Sequence, residues 1–267
     1  MITTYQAAPG VDVLTTSFPV PGFGLVPINA FVLHGAEPVL VDTGTVLQSE
    51  EFMTALRTVI DPSDLRWIWL THTDFDHIGS LHQLLAENPR LTVITTFLGV
   101  GIMGLTAPLP MDRVHLVNPG QTLTLPDRTL VALTPPVFDN PVTTGFYDET
   151  SNVLFSADCF GALLADVPQR AEELSTETLR EGQMFWVMAD SPWLCKVDGG
   201  VFTKDLDAVR RLSPDHVLSS HLPAASGASL DRMLASLEAA RAGTPFVGPD
   251  QAALEQMMAS MGTAGSV

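Results

Sequence analysis

Two imidazoles and two carboxylates lie within six residues in His72-Thr73-Asp74-Phe75-Asp76-His77, and all four are potential metal ligands. The apolar run Leu65 to Leu70 precedes them and reads as a buried strand, while Leu81, Leu84 and Leu85 follow at the spacing of one helical face. The ligands therefore sit on a turn between a strand end and a helix start. There the backbone is rigid on both sides and the side chains face a cleft. Without a cation, each buried carboxylate costs several kcal/mol or takes up a proton. A metal ion, and more readily two, removes that cost. A solvated turn with helix-capping aspartates explains a single Asp, but it is the weaker reading for H-x-D-x-D-H behind a core strand.

A rigid site needs ligands from other elements, and three downstream residues have a similar setting. Asp139 lies in Pro135-Pro136-Val137-Phe138-Asp139-Asn140-Pro141, Asp158 follows Val153-Leu154-Phe155-Ser156-Ala157, and His221 closes Val217-Leu218-Ser219-Ser220. For Asp158 and His221 in particular, a core strand ends in a polar residue aimed off its end.

The elements that must carry these residues follow from periodicity and turn signals. Ile28 to Leu33 and Val39-Leu40-Val41 read as strands around the turn Gly35-Ala36-Glu37-Pro38; Phe52, Leu56, Val59 and Ile60 then mark a helix closed by Asp61-Pro62. Leu91 to Phe97 reads as a strand, and the glycine- and proline-rich stretch Gly99 to Pro110 as a loop near the cleft. Short strands are expected at 114–117, 122–125, 130–133, 143–147 and 153–157. Pro168 to Trp193 reads as helical, Leu206, Val209 and Leu212 mark another helix, and 217–220 is a strand. A further helix carries Leu230, Met233, Leu234 and Leu237 and is capped by Gly243, with a frayed tail from Gly262. No linker separates the two similar halves, which predicts one domain of two facing sheets with helices outside.

Composition bounds the partners. With 46% hydrophobic and 16% charged residues the 267-residue chain can bury a sizeable core. A net charge of −17 argues against nucleic acid and anionic membrane as partners. The start Met1-Ile2-Thr3-Thr4-Tyr5-Gln6 lacks the pattern of a signal peptide, and no apolar run is long enough to span a membrane. Cys159 and Cys195, the only cysteines, are expected to be free thiols in a cytoplasmic protein.

From Asn29–Gly44 through the cluster at residue 72 to His221, the chain resembles the metallo-β-lactamase superfamily over nearly its whole length. The resemblance implies an α/β fold, the αββα four-layer sandwich, as a single domain with a core over about residues 1–245 and a C-terminal extension over 246–267. Within that superfamily, Thr144-Gly145-Phe146-Tyr147-Asp148 and Val153 to Gly161 resemble the oxygen-binding diiron domain of flavodiiron proteins. Those proteins carry H-x-E-x-D-H where hydrolases carry H-x-H-x-D-H. Mapped onto this chain, the pattern places His72, Asp74, Asp139 and Asp158 on a first metal. Asp76, His77, His221 and the bridging Asp158 fall on a second. Asp74 stands where that branch has glutamate, shorter by one methylene or about 1.5 Å of reach. Asp139 stands where both groups usually have histidine.

That set holds three imidazoles and four carboxylates, which offset the charge of two divalent ions. Such an oxygen-rich site favours iron or manganese over zinc and stabilises the ferric state. It also weakens Lewis acidity, which makes bound water a poorer nucleophile. The expected function is a dinuclear, non-haem diiron oxidoreductase that binds or reduces dioxygen or a similar small oxidant. About 46 residues follow His221, with no flavodoxin-like segment expected among them, so an external redox donor would supply electrons. Manganese and zinc are the alternative metals; a metal-dependent hydrolase of an ester, lactone or phosphodiester stays open as the alternative small-molecule chemistry, as does an oxygen or metal sensor without turnover. A homodimer is compatible with all three. Asp42, in Asp42-Thr43-Gly44, either orients a ligand from behind or is a plain turn residue. His34, His82, His115 and His216 are isolated and expected to lie outside the site. Cys159 either touches the site or, the better reading, is a small buried hydrophobe, and Met184, Phe185, Trp186 and Trp193 either roof a pocket or, the commoner case, are core. Tyr147 receives no role.

Overall fold

A computed structural model describes residues 1–264 of the chain. The first half runs β1 (Thr3–Ala8), β2 (Val11–Val20), β3 (Gly24–Leu33), β4 (Val39–Val41), α1 (Ser49–Val59), β5 (Trp67–Trp69), α2 (Leu81–Glu87), β6 (Thr92–Thr95), α3 (Phe97–Thr106) and β7 (Val114–Leu116). Its strands form one sheet in chain order, antiparallel from β1 to β4 and parallel from β4 to β7. The second half runs β8 (Thr122–Leu125), β9 (Arg128–Leu133), β10 (Gly145–Asp148), β11 (Val153–Phe155), α4 (Thr176–Asp190), α5 (Gly199–Leu212), β12 (His216–Leu218), β13 (Ala225–Ser226), α6 (Leu230–Arg241) and α7 (Gln251–Ala264). Its sheet has the order β13-β12-β11-β10-β9-β8, with β11 and β12 paired in parallel.

Three apolar clusters separate the layers. Between the sheets, Val13, Phe31 and Trp69 meet Phe146, Phe155 and Leu218. Beyond the first sheet, Ala30, Val32 and Leu40 pack with Phe52, Leu56 and Leu84 of α1 and α2. Beyond the second, Leu154 and Val217 pack with Phe202, Leu206 and Leu234 of α5 and α6. Successive strand residues point to opposite faces, so Phe31 enters the inter-sheet core while its neighbours Ala30 and Val32 face helices. Strands covered on both sides read as continuous apolar runs, which is why β3, β5 and β11 stand out in the sequence. The result is the four-layer αββα sandwich, of metallo-β-lactamase type. Among the described residues no helix is long and apolar enough to cross a membrane.

Two regions differ from the sequence-based expectation. The N-terminal hairpin β1–β2 was not anticipated. Its turn, Pro9-Gly10, with Gly10 at φ +71°, is nevertheless a recognisable signal. The stretch read as a loop, Gly99 to Pro110, is instead largely the helix α3. Thr96 caps it by accepting the Gly99 N–H at 3.0 Å, and Met103 is buried against the first layer. Tertiary packing outweighs the low helix propensity of three glycines. The tail expected from Gly262 lies partly in α7 and partly outside the described residues.

Candidate metal centre

Apolar strands end in the polar residues of the cleft. After β4, Asp42 adopts φ +58°; after β11, Ala157 and Phe160 take φ +50° and +72° on either side of Asp158. Left-handed backbone costs Ala157 and Phe160 about 1–2 kcal/mol each and Asp42, whose short polar side chain suits that region better, less, and strain of this kind persists where surrounding structure over-determines it. Here the Ala157 carbonyl accepts from the Ser220 N–H at 2.9 Å and the Ser219 hydroxyl at 3.1 Å. The turn that aims Asp158 is thereby tied to the turn that aims His221.

The His72–His77 turn is laced to the segment after β4. Thr43 N–H donates to the His77 carbonyl at 2.7 Å, Val46 N–H to Phe75 at 3.1 Å, and Gly79 N–H to Gly44 at 2.8 Å. Gly79 is needed for this approach, because a methyl group there would overlap the backbone of Thr45 and Val46. Gly79→Ala is therefore expected to destabilise the chain by about 1–3 kcal/mol and to weaken metal binding. Thermal melting of the metal-free form and metal titration check the two effects separately.

Asp158, 4% exposed, forms the hub. Its Oδ2 lies 3.4 Å from His72 Nε2, and its Oδ1 lies 3.4 Å from His77 Nε2 and 3.3 Å from His221 Nε2. Asp76 lies 3.6 Å from His77 Nε2 and 3.5 Å from His221 Nε2, and Asp74 lies 4.0 Å from His72 Nε2. Asp139, on the β9–β10 connection, brings a carboxylate oxygen within 4.8 Å of donor atoms of His72 and Asp74. All seven residues singled out in the sequence thus lie in one cluster.

Each imidazole is anchored through Nδ1, which leaves Nε2 for the cleft. His77 Nδ1 pairs with Asp42 Oδ2 at 2.8 Å, His221 Nδ1 with the Pro27 carbonyl at 2.7 Å, and His72 Nδ1 with Thr71 Oγ1 at 3.1 Å. Asp42 also accepts from Thr71 N–H at 2.8 Å and the Thr71 hydroxyl at 2.7 Å. Of its two sequence readings, the orienting one matches these contacts. Asn29, buried in β3, donates through Nδ2 to the Ser219 and Leu222 carbonyls at 2.9 and 2.8 Å, clamping the His221 turn to the first sheet.

The donor atoms themselves suit a metal ion. His72 Nε2, His77 Nε2, Asp139 Oδ1 and Asp158 Oδ1 are buried without a hydrogen-bond partner. Buried polar atoms are rarely left so. Donors held about 2.1 Å from one ion sit roughly 3–3.5 Å apart, close to the spacings around Asp158. The electrostatics agree. Burial favours the neutral form of Asp158, yet His72, His221 and His77 hold its carboxyl well below the usual range. Burial likewise opposes the charged form of His221, but Asp158 and Asp76 outweigh it and raise its pKa to about 9. Protons stand in for cations among these groups.

Sequence reasoning missed two residues here. Asn140 Nδ2 donates to Asp74 Oδ1 at 3.0 Å. Asp190, the last residue of α4, brings a carboxylate oxygen within 4.8 Å of those of Asp139 and Asp158. Burial, then Asp158 and Asp139, raises its pKa to about 8. Its one local signal is a polar end to an aromatic helix, before Ser191-Pro192. The Trp186 ring lies 4.6 Å from that of His221, tilted by 42°, so this tryptophan borders the site as well as the core. Cys159 is buried, and burial pushes its thiol up to about 12, as suits an uncharged core side chain. His34 pairs with Asp12 and His115 packs on Trp67, both outside the cleft.

The family model described as ODP family beta lactamase matches residues 26–188. Over 167 residues, 62% of the chain, the sequence is 28% identical to an anaerobic nitric oxide reductase flavorubredoxin of Salmonella typhi. Over 135 residues it is 28% identical to a putative diflavin flavoprotein of Thermosynechococcus vestitus. The matches span only 35% and 24% of those relatives. In structure, rubredoxin oxygen:oxidoreductase from Desulfovibrio gigas aligns over 90% of this chain and 61% of its own, with TM-score 0.75 and 18% identity. A putative diflavin flavoprotein fragment from Nostoc aligns over 90% and 96%, with TM-score 0.73 and 18% identity. These structural likenesses concern the fold.

Proposed function

Because the chain belongs to the family described as ODP family beta lactamase, we propose that it is a dinuclear non-haem iron oxidoreductase. Its small-molecule substrate is dioxygen or a related oxidant such as nitric oxide, and an external redox donor supplies the electrons. The observation that carries this reading is the convergence of His72, His77 and His221 on Asp158 with buried, unpartnered donor atoms. In this assignment His72, Asp74, Asp139 and Asp158 hold one ion, and Asp76, His77, His221 and Asp158 the other. Four carboxylates offset two divalent charges, and their hardness favours iron or manganese over zinc. When bound, two iron ions would supply the redox chemistry that an oxidant of this kind requires.

The protein's own part is positional. Asp42, Thr71 and the Pro27 carbonyl fix the three imidazoles by their Nδ1 atoms, so each Nε2 is presented without reorganisation. Asp74 and Asp76 have side chains 45% and 33% exposed, against 5% for Asp158, so the small oxidant enters past them.

Anaerobic purification with metal quantitation tests the reading. The expected result is two iron ions per chain and oxygen uptake by the reduced protein. Zinc alone, with turnover of a generic ester or phosphodiester, would overturn it in favour of hydrolysis. Asp74→Ala and Asp139→Ala are each expected to lose roughly half the bound metal, since each serves one ion. A variant that keeps both ions removes its residue from the ligand set.

A further inference from the structure

The ligand assignment above leaves one carboxylate of the cleft unused. Asp190 projects from the end of α4 so that one of its oxygens, one of Asp139 and one of Asp158 all lie within 4.8 Å of each other. Among the described residues no lysine or arginine forms an ion pair with any of the three. The position is electrostatically poor for a carboxylate in a second way. The C-terminal end of a helix carries the negative pole of its dipole, which disfavours anions. The Ser191 hydroxyl donates to Asp190 Oδ2 at 3.1 Å and fixes the carboxylate's orientation, but brings no charge. Independently, the buried Nε2 of His72, whose side chain is 1% exposed, and Oδ1 of Asp139 lack hydrogen-bond partners, and donor atoms of these two residues lie within 4.8 Å of each other. A cation among them answers both observations.

We propose that Asp190 is a fifth carboxylate of the centre, making the position beside His72 a hard-cation site chemically distinct from the position beside His77 and His221. This rests on the dinuclear reading. The first position then offers one imidazole, from His72, against carboxylates from Asp74, Asp139, Asp158 and Asp190. The second offers two imidazoles against Asp76 and Asp158. Oxygen-rich donor sets suit manganese and ferric iron, whereas imidazole suits zinc and ferrous iron. The two adjacent positions therefore differ in their preference among divalent ions.

Manganese(II) is the probe. It is titrated anaerobically into the metal-free chain and into Asp190→Asn and Asp190→Ala, with the free ion counted by electron paramagnetic resonance and folding followed by circular dichroism. Wild type is expected to bind two ions. One equivalent of zinc should then displace one of them, from the two-imidazole position, and leave the other bound. In both folded variants the affinity of the first position should fall by about tenfold or more, with the second unchanged. Variants that fold and titrate like wild type overturn the proposal, as does a second equivalent of zinc that displaces the remaining manganese as readily as the first displaced its ion. Wild type that binds fewer than two ions overturns the dinuclear reading itself, so the two failures are distinguishable.

Discussion

Asp158→Ala is expected to empty the centre of both ions, from two per chain to well below one. Among the described residues no other side chain lies within 3.5 Å of the Nε2 atoms of all three histidines, so in the proposed assignment its loss strips a donor from each ion at once. Orienting residues outside a ligand set typically change affinity by about 10–100-fold, and a shared ligand should exceed that range. The loss is readable without activity. A ligand at about a hundred times its Kd stabilises the folded state by about 2.7 kcal/mol. Added ferrous iron should accordingly raise the Tm of wild type and leave that of Asp158→Ala unmoved. Asp158→Asn, which keeps the volume and removes the charge, should behave like the alanine variant. Two ions retained in either protein would show that Asp158 is not the shared ligand.

Asp42→Ala should have the largest effect on folding. The Asp42 carboxylate, 1% exposed, accepts from the Thr71 N–H, the Thr71 hydroxyl and His77 Nδ1. Removing it leaves three buried donors without an acceptor, at about 1–3 kcal/mol each. Alanine must also adopt φ +58°, at about 1–2 kcal/mol. Roughly 4 kcal/mol or more is then lost from a total that is commonly about 5–15 kcal/mol. Asp42→Asn tolerates the left-handed backbone and keeps one acceptor oxygen. It should fold, yet bind the ion beside His77 about 10–100-fold more weakly. Urea denaturation and metal titration of the two variants separate these effects. Wild-type metal affinity in a folded Asp42→Asn would reduce Asp42 to a structural residue.

Much of the centre was legible in the sequence because its residues end strands. Val39-Leu40-Val41, Trp67-Ile68-Trp69-Leu70 and Val153-Leu154-Phe155 are apolar runs that pass through a doubly covered sheet and stop at a polar side chain. The layer order followed from the same pattern. What escaped had no local signature. Asp190 ends a helix whose sequence reads as a packing element, and its place in the cleft comes from how α4 packs into the apolar cluster of the second half. The anchor of His221 is a backbone carbonyl, that of Pro27, which a sequence cannot single out. Helix α3 reads as a loop because its glycines outweigh its apolar residues in local propensity; the Thr96 cap and the burial of Met103 reverse that balance.

Asn29 belongs to the first layer and grips the turn of the second that bears His221. In the proposed assignment the donors are divided between the layers, His72, Asp74, Asp76 and His77 in the first half and Asp139, Asp158 and His221 in the second. An ion held as proposed would leave most readily when the two layers part. The rate at which a colourless sequestering agent drains the protein becomes a clock for that breathing motion, ticking long before the chain unravels.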